Sequence, residues 1–269
     1  MTQEQPDSNY PPASSYSQYP QELPPQAPPP PQRVAVSTPS SRPYVTYSLL
    51  VINILVFLLQ SAGDVLFGFD LVASMGMKVN ELILQGEYWR LITPMFLHGS
   101  ILHLGFNMYA LFIFGPGLER YYRHGRFLVL FFLGGFAGNV FSFIFSASNS
   151  LGSSTAIFGL LAAEGVFLYQ NQRVFGGVAR RALNNIIMIA VVNLIIGLSP
   201  GIDNWGHMGG LLGGAIFAFL GGPILEVKGM IPDVVVADAR ESSAVFRAAI
   251  IDFLIFGFLA FVTLYLRGS

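Results

Sequence analysis

The stretch Gly152-Ser153-Ser154-Thr155-Ala156-Ile157-Phe158-Gly159 leaves a loop of small residues and enters an apolar run that continues to about Gln170. It is one of seven such runs, placed at about 45–62, 101–118, 127–147, 154–170, 183–198, 205–222 and 248–266. Each is near the length that crosses the ~30 Å hydrocarbon core of a bilayer. Composition agrees with this reading: of 269 residues, 53% are hydrophobic and only 11% charged, with a mean hydropathy of +0.57. So little charge cannot clothe a water-soluble surface, and the fold class expected is an all-α polytopic membrane protein.

Outside these runs the chain is informative by what it lacks. There is no cysteine, which excludes disulfides, thiolate chemistry and cysteine-ligated metals. A net charge of −1 without a basic cluster gives nucleic acid nothing to bind. Residues 1–43 hold twelve of the seventeen prolines and read as a disordered, Pro/Gln-rich tail, with Pro28 to Pro31 favouring polyproline II. A plain tether is the favoured role for it over a docking site for a proline-recognition partner. The mixed connection 63–100 carries Trp89 and Arg90, a pairing suited to the headgroup zone. The expected domains are the tail (1–43), a membrane domain (44–225), a cytoplasmic loop (226–247) and an additional C-terminal transmembrane helix (248–269).

Orientation follows from lysine and arginine placement. Eleven of the fourteen fall in the tail and in the loops 119–126, 171–182 and 223–247, all on one side; Lys78, Arg90 and Arg267 fall on the other. The positive-inside rule puts the N-terminus in the cytoplasm and the C-terminus outside, in a membrane expected to be a bacterial plasma membrane. The second, fourth and sixth runs then all start at the outer face. His103, Ser154 and His207 each stand 16 residues before the inner ends of their runs, at Glu119, Gln170 and Pro223. At 1.5 Å per residue this leaves ~24 Å of helix below each, so the three share one depth beneath the outer surface.

Ser154 and His207 are therefore the candidate catalytic residues, because a serine hydroxyl needs a base to attack at neutral pH and histidine is the usual one. No carboxylate lies at that depth, since Asp203 sits in the preceding loop, so a dyad is expected and not a triad. Gly210 and Gly214 follow His207 at three and seven residues, a spacing that lets helix backbones close up in lipid. Ala156, Gly159 and Ala163 answer from the serine's run. His103 and Asn107, four apart, share a face and suit an oxyanion hole completed by the Ser154 backbone N–H. Phe158, one turn below Ser154, is placed to pack on the His207 ring. A metal site from His98, His103 and His207 lacks a carboxylate and any HExxH pattern, so no metal or other cofactor is expected. Asn53, Asn139, Glu164, Asn193 and Asp252 are expected to bond between helices, with Asp252 reaching Arg247.

Over roughly residues 45–222 these motifs resemble the rhomboid family of intramembrane serine proteases. The resemblance rests on Glu87-x-Trp89-Arg90, His103-x-x-x-Asn107, Glu119 with Gly125, Gly152-x-Ser154, and His207-x-x-Gly210-x-x-x-Gly214, in that order. It implies a rhomboid-like six-helix core plus one C-terminal transmembrane helix. It also implies a serine endopeptidase with Ser154 as nucleophile and His207 as base, His103, Asn107 and the Ser154 amide as oxyanion hole, and Phe158 stacked on the base. Gly152, Gly210 and Gly214 would support the site, Trp89 and Arg90 would be structural in the first loop, and the partners would be transmembrane protein substrates and the lipid bilayer. The family pattern is usually Gly-x-Ser-Gly. Thr155 stands where the last glycine would be and is expected to crowd the substrate backbone or reshape the oxyanion hole. The alternative is a catalytically inactive rhomboid-like protein that binds membrane clients.

Overall fold

The computed structural model describes residues 36–37, 41–230 and 233–268. The chain is a helical membrane protein. In hydrocarbon each backbone N–H and C=O must be satisfied inside its own segment, so apolar runs become helices. α1 (Tyr44–Phe67) ends on Gly68, whose φ of +75° closes the last turn through a bond to the Asp64 carbonyl. The first loop then folds into two short helices, α2 (Leu71–Gly76) and α3 (Asn80–Leu84), and two 3-10 turns, Tyr88–Leu91 and Thr93–Phe96.

The next helix, α4 (Ile101–Phe145), joins two of the expected crossings. A reading of 119–126 as a loop is corrected here: helical structure runs through it and breaks only at Arg123 (φ +63°, ψ 164°). Forty-five residues would be ~68 Å of straight helix, more than twice a bilayer core, so the chain must double back. It does: past the end of the second arm, Gly152 lies against the ring of His103 near the start of the first arm.

α5 (Ser154–Gln170) is the central helix, with eight of its first ten residues buried. After the short α6 (Gln172–Phe175) come α7 (Gly177–Ile196), α8 (Asn204–Gly221) and α9 (Ser242–Gly268). α5 packs on the second arm of α4, on α8 and on α7; α9 lies outside against α8 and α4. Gly159 marks the crossing of three backbones. A Cβ placed there would lie 2.9 Å from Gly134 Cα of α4, and one placed on Gly214 of α8 would collide with the Gly159 backbone. Only residues without a Cβ permit that approach. Outward faces carry Leu58, Phe106, Ile187, Val191, Phe258 and Phe261, exposed to where lipid would be. α1, α4, α7 and α9 are long and apolar enough to cross a membrane.

Two features depart from the expected domain plan. The 226–247 segment is not plain loop: β2 (Leu225–Lys228) pairs antiparallel with β3 (Val234–Asp238). β1 (Val36–Ser37), inside the segment read as a disordered tail, pairs parallel with β3. Most of that tail, with its polyproline run, lies outside the described residues. The expected interhelical polar bonds are mixed. Asn139 donates to the Leu91 carbonyl, but Asn53 and Asn193 donate to carbonyls of their own helices. Asp252 does not reach Arg247; both carboxylate oxygens are buried without a hydrogen-bond partner among the described residues.

Candidate active site

Ser154 opens α5 because Gly152 precedes it with φ +137°, a conformation L side chains rarely adopt. His207 is in the first turn of α8, capped by Asp203, whose Oδ1 accepts from Gly206 N–H at 3.0 Å. The glycine crossing lower down holds α5 and α8 together: a Cβ on Gly210 would strike the Thr155 carbonyl. The outcome is a Ser154 Oγ to His207 Nε2 distance of 3.0 Å. The Phe158 ring lies parallel to the imidazole, centroids 4.1 Å apart at 8°, so the imidazole has little room to tilt. Among the described residues His207 Nδ1 is buried without a hydrogen-bond partner.

His103 enters from α4, whose N-cap Ser100 accepts from the His103 N–H at 3.1 Å. The point a Cβ of residue 152 would occupy is 2.7 Å from His103 Nε2 and 3.6 Å from Ser154 Oγ. Glycine at 152 thus leaves open the space between that imidazole and the hydroxyl. Asn107 is buried one turn further along, its Nδ2 without a partner among the described residues. Among the described residues no backbone acceptor engages the Ser154 N–H, as is usual for the first turn of a helix. An oxyanion would need N–H donors of this kind.

Thr155 is where sequence reasoning misplaces a side chain. A Cβ on Gly138 would lie 2.6 Å from Thr155 Cβ, and one on Gly206 would lie 3.0 Å from Thr155 Cγ2. The threonine therefore fills the seam between α4 and α8, not the space over Ser154. Trp89 and Arg90 sit in the first loop away from the pair. Trp89 Nε1 donates to the Met75 carbonyl, and Arg90 to the carbonyls of Met77 and Ser74 and to Glu87 Oε2.

Four residues, His98, Ser153, Gln60 and Lys78, make contacts that the sequence reading did not anticipate. His98 Nε2 lies 3.3 Å from Ser153 Oγ, and Gln60 of α1 brackets the His98 backbone. A glutamine inside an otherwise apolar run was the available signal. Burial, with His103 adding to it, lowers the His98 pKa to about 3, so that ring is neutral. Lys78 is fully buried, its ammonium donating to the carbonyls of Ser142, Ser146 and Ser148.

Fold and site together define a polytopic helical membrane protein with a serine–histidine pair sunk among its helix starts. Comparison with known proteins makes this particular. The Rhomboid domain model matches residues 85–224, and the chain belongs to the rhomboid family. It is 41% identical over 176 residues to Rhomboid protease GluP of Bacillus subtilis (strain 168), covering 65% of this chain and 34% of that protein. It is 34% identical over 189 residues to RHOMBOID-like protein 9, chloroplastic, of Arabidopsis thaliana (68% and 44%). It is 39% identical over 140 residues to RHOMBOID-like protein 6, mitochondrial, of the same plant (51% and 45%). The chain thus spans between a third and a half of the length of these relatives.

Proposed function

We propose that this protein is an intramembrane serine endopeptidase that cuts transmembrane or juxtamembrane segments of membrane proteins. The observation that carries the proposal is the 3.0 Å contact between Ser154 Oγ and His207 Nε2 at the level of the His103 ring. Neutral His207 takes the hydroxyl proton through Nε2 as Ser154 attacks the peptide carbonyl, and returns it to the leaving amine. His103, Asn107 and the Ser154 N–H donate to the oxyanion. Water entering from the outer loops then hydrolyses the acyl-enzyme. A helical substrate hides its carbonyls in backbone bonds, so segments that unwind readily are cut first. The domain plan that accompanies this reading is a membrane domain over 44–225 with a seventh span after it. The N-terminus lies in the cytoplasm and the C-terminus outside a bacterial plasma membrane, on the strength of the lysine and arginine distribution.

The test is cleavage of a model transmembrane substrate by the reconstituted full chain, with fluorophosphonate labelling in parallel. Ser154→Ala should abolish both. Cleavage that survives it removes Ser154 from its role, and a wild type that neither labels nor cleaves points to a binding protein instead.

A further inference from the structure

Next to the Ser154–His207 pair lies a second histidine–serine contact that the reaction above does not use. His98 and Ser153 are 1% and 0% exposed, too enclosed to meet a substrate. His98 is held in turn by α1: its N–H donates to Gln60 Oε1 at 3.0 Å, and its carbonyl accepts from Gln60 Nε2 at 3.1 Å. Gln60 Nε2 also donates at 2.7 Å to Asp70 Oδ2, whose other oxygen caps α2. A connected polar chain therefore runs from the first span, through the first loop, to the residue before Ser154. Burying an amide in a membrane span is costly unless its bonds are made, and here they are.

The place where this chain ends explains its use. Gly152 is a permissive joint, and α5 starts from it with no side-chain cap. A serine at the N-cap ordinarily turns its hydroxyl onto the helix amides; Ser153 turns it to His98 instead. We propose that His98 and Ser153 are positioning residues: braced by Gln60, they lock the glycine joint to α1 and so hold Ser154 in register with His207 and His103. The inference rests on Ser154 and His207 carrying the reaction. His98 takes no proton in it.

The experiment uses the reconstituted full chain with a model transmembrane substrate. Variants are His98→Phe, Ser153→Ala, their double, and His98→Gln, whose amide nitrogen can take the place of Nε2. Each of the first two should lower kcat by about tenfold with KM unchanged, the size of one lost hydrogen bond. The double variant should be no slower than the slower single, because both remove one contact, and His98→Gln should recover most of the rate. Full kcat in Ser153→Ala, or losses that multiply in the double variant, overturns the proposal. Should His98→Phe not fold, Ser153→Ala and His98→Gln still decide. A readout free of activity separates this proposal from the catalytic reading. With four histidines in the chain, 15N NMR should show the His98 Nε2 resonance moving in Ser153→Ala and the His207 resonance moving in Ser154→Ala. An unmoved His98 signal also overturns the proposal; cleavage surviving Ser154→Ala defeats only the catalytic reading.

Discussion

Thr155 shows how much one side chain can mislead at the residue scale. Its place in the sequence, next to the nucleophile, suggests crowding of the substrate; its helix angle instead turns it into the α4–α8 seam, against Gly138 and Gly206. Thr155→Gly should therefore give no faster enzyme. It should destabilise the protein by about 2 kcal/mol, from the cavity and the freer backbone, which thermal unfolding in detergent would register. Thr155→Val is the informative partner. The Thr155 hydroxyl is buried without a hydrogen-bond partner among the described residues, so a methyl in its place should be neutral or stabilising. Ser154, His207 and Phe158 were legible in the sequence because helical periodicity and depth alone set their faces. The His98–Ser153 contact was not, since it depends on how an irregular loop folds back.

At the scale of elements, the apolar runs gave the helices, but not how they join or what caps them. No loop separates the two arms of α4; a single residue in the left-handed region turns the helix back. The start of α1 shows the same limit. Pro43 offers it no side-chain cap, and Glu119 of α4 supplies one from a distance, accepting from Val45 N–H, Thr46 N–H and Thr46 Oγ1 at 2.7–2.9 Å. Its other ligand is His124 Nδ1 at 2.6 Å. Glu119→Ala should cost roughly 3 kcal/mol, because a fully buried carboxylate network is broken from one side. Gly159→Ala should be as damaging. Its methyl would meet Gly134 Cα at 2.9 Å, so α4 and α5 must part and Ser154 must move. Fluorophosphonate labelling and thermal unfolding should fall together in that variant, whereas Glu119→Ala should lose stability first.

For the whole molecule, the connection between the first and second crossings behaves as a clasp, not a lid of free chain. Lys78 ties it to the end of α4 through three carbonyls and a paired bridge to Ser150. Burial lowers the Lys78 pKa from its ordinary 10.5 to about 8. Between those values the folded protein has released a proton that the unfolded chain still binds, so this group makes stability rise with pH from about 8 to 10.5. Unfolding midpoints of the wild type measured at pH 7.5 and 9.5 should show that rise, and Lys78→Met should lack it. The three-stranded sheet has a consequence for biogenesis. Val36 and Ser37 leave the ribosome early, yet their partners in β3 emerge only after six of the seven apolar runs have been synthesised. The sheet is thus a late stitch, closed only after the sixth apolar run, and nascent chains halted before Val234 should leave that seam open however well their helices have inserted.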